Sequence, residues 1–162
     1  MTRTCLIEAS DEHFAEILSG TMSAPLRLAV DGIGAPDIIE MLRALAHSVA
    51  ERFAPAAWLI VEADEVIGLC SVVTPPVGDG VIDIGYGIAV SWRGRGCATR
   101  AVAAVVRWAS ADPRVLALTA DTAIANAPSQ RVLERDGFVR IGTRTDPEDG
   151  PMIRWWLDSA SR

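Results

Sequence analysis

Between positions 85 and 99 the chain reads Gly85-Tyr86-Gly87-Ile88-Ala89-Val90-Ser91-Trp92-Arg93-Gly94-Arg95-Gly96-Cys97-Ala98-Thr99. An apolar strand runs into a short loop of two arginines and two glycines, and the loop opens directly into a helix. This order narrows the fold sharply, because a strand, a tight glycine turn and a helix N-terminus in series are a crossover out of a sheet. It also leaves backbone N–H groups free and places guanidinium groups beside them, which suits an anion such as a diphosphate.

The flanking pattern extends the crossover into an architecture. Thr4–Ala9 reads as a strand, and Ser10 caps a helix that ends near Gly20. Pro36 begins an amphipathic helix with Ile38, Met41, Leu42, Leu45, Val49 and Phe53 on one side. Strands follow at 58–63 and 66–73, turning at Asp64-Glu65, and then at 81–90. A helix over 94–110, a strand over 115–120, a helix over 126–136 and two last strands at 138–143 and 152–157 complete the chain. The order β-α-α-β-β-β-α-β-α-β-β predicts a mixed α/β sheet with helices on both faces. At 162 residues without a linker or repeat, positions 1–162 read as one domain.

Composition removes several chemistries. All fifteen basic residues are arginine, so a Schiff-base lysine or a P-loop lysine is impossible. The net charge of −6 argues against a nucleic-acid partner. Three dispersed cysteines and two histidines give neither a disulfide framework nor a metal-ligand spacing, so no metal is expected. The N-terminal residues lack a secretory apolar core and no stretch approaches a membrane span, which leads to the expectation of a cytoplasmic protein that avoids membranes, either monomer or homodimer.

Three readings of the Arg93–Thr99 loop compete. As a dinucleotide fingerprint it places Thr99 where a third small residue belongs, and it follows hairpins rather than opening a βαβ unit. As a plain turn it would leave its arginines solvated. The third reading is a coenzyme A site, and here the residues match a family. Arg93-Gly94-Arg95-Gly96-Cys97-Ala98 resembles the Arg/Gln-x-x-Gly-x-Gly/Ala signature of the GNAT N-acetyltransferase superfamily. Asp83–Val90 resembles the family's splayed fourth strand. Asn126–Phe138, ending in Gly137-Phe138, resembles its second cofactor-side motif. Asn126-x-x-Ser129 is most similar to the branch that acetylates the N-termini of ribosomal proteins. The likeness is strong over 81–140 and weaker outside it.

The resemblance implies a GNAT-like fold of about seven mostly antiparallel strands, the fourth and fifth splayed apart, and transfer of an acetyl group from acetyl-CoA to a primary amine. That amine belongs to a protein N-terminus or a small molecule, and transfer is direct, in a ternary complex. A catalytically silent acyl-CoA-binding module is the alternative. Cofactor contacts are expected from Ile88, Ala89, Val90, Arg93, Gly94, Arg95, Gly96, Cys97, Ala98, Thr99 and Asn126, with the strand edge pairing the pantetheine arm and a bulge at Gly85 or Gly87 opening the slot. An N–H near Ile88 or Ala89 would polarise the carbonyl. Asp83 stands where relatives carry a basic glutamate. Leu133 stands where many carry an acidic tyrosine, which leaves Ser129, assisted by Asn126, as the donor to the thiolate. Tyr86 and Trp155 are the candidate walls of the acceptor site. Glu8, Glu62 and the Asp146/Glu148/Asp149 loop are further carboxylates able to draw in a cation. Cys97, at a helix N-terminus, has no evident base beside it for covalent catalysis.

Overall fold

A computed structural model describes residues 3–159. The expected single domain extends beyond these to positions 1, 2 and 160–162, which lie outside the described residues. One eight-stranded sheet runs through the molecule. In chain order the elements are β1 (Thr4–Glu8), α1 (Asp11–Ser19), β2 (Arg27–Leu28), α2 (Pro36–Ala50), β3 (Ala57–Glu62), β4 (Glu65–Thr74), β5 (Val81–Ile88), α3 (Cys97–Ala111), β6 (Ala117–Ala123), α4 (Ala127–Arg135), β7 (Val139–Asp146) and β8 (Gly150–Asp158). The sheet order is β1-β3-β4-β5-β6-β8-β7. Among the described residues, only β5–β6 and the two-residue pairing of β2 with β4 are parallel. Seven strands were therefore read correctly, and β2 is an addition hidden in a segment that reads as loop.

Local chemistry accounts for the helix boundaries. Ser10 Oγ accepts from the His13 backbone N–H at 3.1 Å, and His13 Nδ1 accepts from the Ser10 N–H at 3.0 Å. This reciprocal cap employs one of the two histidines and gives α1 a fixed start. Gly20, at φ +83°, ends it. Pro36 occupies the first turn of α2, where a missing N–H costs nothing.

Two apolar layers hold the sheet. On one face, Phe14, Ile17 and Ile39 pack against Leu59, Val61, Val66 and Leu69. On the other, Val102, Val105 and Val106 of α3 and Leu133 of α4 join Ile60, Ile67, Ile82, Ile84, Leu118 and Trp155. Each such side chain stabilises the fold by about 1.5–3 kcal/mol when fully buried.

The strands that frame the site pair unevenly. β5 runs beside β6 only from Val81↔Ala117 to Ile84↔Ala120. Beyond that, β5 stays with β4 as far as Ile88↔Gly68, while β6 stays with β8 as far as Ala123↔Met152. These are the splayed fourth and fifth strands of the seven-strand count. The bulges are not at Gly85 and Gly87, which pair regularly with Ser71 and Leu69. They lie in β4, where Ile67 is extra against β3 and Val73 is extra against β5. Gly68, next to the first bulge, approaches β5 so closely that a Cβ there would run into the Gly87 carbonyl.

Replacing Gly68 with alanine should therefore destabilise the protein by about 1–3 kcal/mol through overpacking against immovable backbone. Gly87→Ala, with no atom within 4 Å of the added Cβ, should cost less. Denaturant unfolding of both variants measures the difference.

Candidate active site

Where β5 and β6 part, a cleft of about 620 Å³ opens between the free edge of β5, the first turn of α3 and one side of α4. Strand alternation sets which backbone groups face it. The Ala89 N–H donates to the Ile67 carbonyl of β4 at 2.7 Å, and the Gly87 carbonyl also points toward β4. The peptide groups of Tyr86 and Ile88 therefore turn the other way, toward the gap β6 has left. Arg93 Nε reaches back to the Ile88 carbonyl at 3.3 Å.

The far wall is the loop and helix N-terminus singled out in the sequence. Gly94 and Gly96 have φ of +75° and +78°, left-handed values that only glycine adopts without strain. A Cβ at Gly94 would meet nothing within 4 Å. Its hydrogen faces open cleft rather than protein. The helix begins at Cys97, not at 94, and no side chain caps it. The N–H groups of its first turn, Cys97, Ala98 and Thr99, thus remain for a ligand. A single 3-10 turn over Val90–Trp92 carries the loop and is pinned from two sides. Asp31 accepts from the Ser91 N–H at 3.0 Å and from Ser91 Oγ at 2.6 Å, and those two donors hold its carboxyl below the usual range. Trp92 Nε1 donates to Glu65 Oε2 at 2.6 Å.

On α4, Asn126 Oδ1 caps the helix by accepting from the Ser129 N–H at 3.2 Å. Its amide NH2 is the group left to reach a ligand. Ser129 Oγ lies 2.7 Å from the Tyr86 hydroxyl, which also approaches the Ser129 carbonyl at 3.3 Å. Burial raises the Tyr86 phenol to about 12 despite the serine, so it stays protonated throughout the ordinary pH range. Leu133 is fully buried in the core cluster against which Tyr86 packs.

The cleft thus gathers Tyr86, Ile88, Arg93, Gly94, Gly96, Cys97, Ala98, Thr99, Asn126 and Ser129. Other expected contacts fall elsewhere. Ala89 is buried with its N–H engaged by β4. Val90 is exposed on the 3-10 turn. The Arg95 guanidinium stacks on the Trp92 ring, 4.7 Å from its centroid. Trp155 is no acceptor wall: it is 1% exposed in the core, and its Nε1 donates to Thr122 Oγ1 at 2.9 Å. The alternation puts Trp156, partly exposed, on the opposite face. Trp92, Pro128, Arg131, Val132 and Arg135 line the cleft without having been anticipated. The spacing of Pro128, Val132 and Arg135 along one side of a short helix was the only signal for the last group.

Asp83 lies outside the cleft lining, among residues that still pair with β6. Its Oδ1 accepts from Thr119 Oγ1 at 2.8 Å and lies 3.7 Å from Arg154 Nη1. Arg154 is shared with Asp121 at 3.0 Å, and Asp121 also binds Arg144 at 2.7 Å. Burial raises the Asp83 carboxyl above its usual value, against the opposing pull of Thr119 and Arg154. Glu62 does not face an acceptor either; it is 1% exposed and receives Cys97 Sγ at 3.2 Å. Burial and that carboxylate push the Cys97 thiol up to about 11. The expected tendency of a helix N-terminus to favour thiolate is overridden, and Cys97 is a neutral thiol at pH 7.

Of the three cysteines, only Cys5 is exposed. A maleimide reagent at pH 7.5 should label one thiol in the folded protein and three after denaturation, as counted by intact mass.

Comparisons with known proteins agree with the geometry. The acetyltransferase (GNAT) domain profile matches residues 3–139. The chain is 32% identical over 85 residues to the uncharacterized N-acetyltransferase YjdG of Bacillus subtilis (strain 168); the match spans 51% of each protein, about half the length of that curated relative. Its fold matches that of RimL, a ribosomal L7/L12 alpha-N-protein acetyltransferase in complex with coenzyme A, with a TM-score of 0.75 at 14% identity over 96% of this chain and 94% of the other. It also matches aminoglycoside acetyltransferase AAC(6')-Ib in complex with ribostamycin and coenzyme A, with a TM-score of 0.71 at 20% identity over 99% and 97%. The diverging strands, the uncapped helix start and the profile spanning most of the sequence place this chain in the GNAT acetyltransferase family.

Proposed function

We propose that this protein is an N-acetyltransferase that moves an acetyl group from acetyl-CoA to a primary amine within a ternary complex. The observation that carries the reading is the unpaired edge of β5 opening onto the uncapped first turn of α3. The first offers peptide hydrogen bonds to a chain of amides, and the second offers N–H groups to a diphosphate. The two structural neighbours act on a protein α-amine and on an aminoglycoside, so amines of both kinds remain within the proposal.

Acetyl-CoA would supply the activated acyl group, a thioester. The N–H groups of Gly96, Cys97, Ala98 and Thr99 cradle its phosphates, with Arg93 adding charge. The Tyr86 peptide groups pair with the pantetheine arm as an added strand would. The Ile88 N–H, rather than that of Ala89, faces the gap and stabilises the negative charge that develops on the acyl oxygen. A donor of this kind contributes roughly 3 kcal/mol. The amine nitrogen bonds to the acyl carbon, its proton leaves through water toward Asp83, and the carbon–sulfur bond breaks. Ser129 hands a proton to the departing thiolate and takes one from the Tyr86 hydroxyl it touches; water returns a proton to the phenol as Asp83 releases the one it took from the amine. Asn126 orients the arm through its free NH2.

Acceptor chemistry bears on the base. An α-amine of pKa about 8 is roughly one-tenth neutral at pH 7, whereas a lysine amine of about 10.4 is neutral in about one molecule in 2,500. Because Asp83 is engaged by Thr119 and Arg154, an α-amine, which needs less help, fits best.

Acetyl-CoA incubated with a panel of amines, including peptide N-termini, should release thiol with at least one acceptor. Binding without release on every acceptor would leave the silent acyl-CoA module instead. Ser129→Ala should lower kcat by about 100-fold with little change in the KM for acetyl-CoA, and Tyr86→Phe should lower it by about tenfold or more. Since the Tyr86 phenol titrates only near 12, wild-type kcat should show no descending limb below pH 10. Asp83→Asn should be slow at pH 7 and approach wild type at pH 9, where an α-amine loses its proton unaided.

A further inference from the structure

Packed against the first turn of α3 lies a ring of polar groups. Glu62, the last residue of β3, is 1% exposed. Its Oε2 receives Thr4 Oγ1 at 2.8 Å, Cys97 Sγ at 3.2 Å and Arg100 Nη2 at 3.3 Å. Arg100 uses its other donors on the same neighbours: Nε reaches Thr4 Oγ1 at 2.9 Å and Nη2 reaches Cys97 Sγ at 3.3 Å. The threonine hydroxyl and the thiol each donate to Glu62 and accept from Arg100. Nη1 of Arg100 then leaves the ring and donates to the Arg95 carbonyl at 3.1 Å.

That last bond acts on the cradle. A trans peptide is planar, with C=O and N–H pointing in opposite directions. Pulling the Arg95 carbonyl back toward Arg100 therefore turns the Gly96 N–H of the same peptide away from it, toward the cleft. Arg100 also lies where a side chain at 96 would begin, since a Cβ there would be 2.9 Å from Nη1. A carboxylate as deep as Glu62 is a poor source of net stability, because desolvation offsets most of the ion-pair gain. Fixing a direction is a role that the cost does not cancel.

We propose that Glu62 and Arg100 are a positioning pair: Glu62 orients the Arg100 guanidinium, and Arg100 holds the Arg95–Gly96 peptide so that the loop presents its N–H groups to a diphosphate. Neither side chain touches the ligand in this arrangement. The proposal rests on the reading of the cleft as a coenzyme A site, and it adds a specific consequence. Loss of the pair should harm recognition of the diphosphate and spare recognition of the pantetheine arm, which is held by β5 and α4.

The test compares coenzyme A with pantetheine, which has the arm without phosphates, by calorimetric titration on wild type, Glu62→Gln and Arg100→Gln. Arg100 is half-exposed, so its variant remains available should Glu62→Gln fail to fold. The expected result is a Kd for coenzyme A raised at least about tenfold in each folded variant, with the Kd for pantetheine within about twofold of wild type. Unchanged coenzyme A affinity in Arg100→Gln would overturn the proposal, as would parallel losses for both ligands, which indicate general loosening. Wild-type protein that fails to bind coenzyme A would remove the cleft reading itself and this pair along with it. Equality of wild type and variants would remove only the pair.

Discussion

Everything at the site follows from the fact that β5 and β6 share only four residues of pairing. A strand edge inside a protein normally finds a partner, because peptide groups left without hydrogen bonds are costly. Past Ile84 and Ala120 each of these strands keeps its other neighbour and lets go of this one. The β5 side of the gap presents peptide groups at Tyr86 and Ile88, and α4 closes the gap from one side with Ser129. Such a slot suits an extended ligand that carries its own amides. It does not suit a flat heterocycle stacked on an apolar wall.

A second constraint is the placement of charge around the start of α3. The helix has no capping side chain, so its first N–H groups stay available only if the loop before them cannot collapse onto them. Three carboxylates, one on a turn and two on strands, prevent that. Asp31 holds Ser91, Glu65 holds Trp92, and Glu62 acts through Arg100 on Arg95. A second run of alternating sign, Asp83, Arg154, Asp121 and Arg144, ties β5, β8, β6 and β7 together. With lysine absent from the chain, each of these ion pairs uses a planar guanidinium, whose fork can bind two acceptors at once.

Much of this was legible beforehand because it is local. A Pro36 start and an apolar stripe mark α2, and the two glycines of the loop signal their left-handed backbone directly. The α3 start lies three residues later than the pattern indicated, because Gly94 and Gly96 serve the turn rather than the helix. What stayed hidden depends on contacts between distant positions. Tyr86 and Ser129 are 43 residues apart, and Glu62 and Arg100 are 38 apart. No spacing rule brings such pairs together; register and helix placement do. Trp155 and Trp156 illustrate the same limit. Alternation says that they face opposite ways, but which one enters the core depends on where β8 joins β6, and there Thr122 waits for the Trp155 indole. The strand β2 escaped notice because two residues carry no period.

The contact between Tyr86 and Ser129 has a practical consequence, for the chain contains a single tyrosine. That one side chain reaches from β5 across to α4. Its aromatic proton resonances need no assignment by mutagenesis, and no other phenol overlaps them. Tyr86 also lines the cleft, so the protein carries a native probe of occupancy in the wall of its own site.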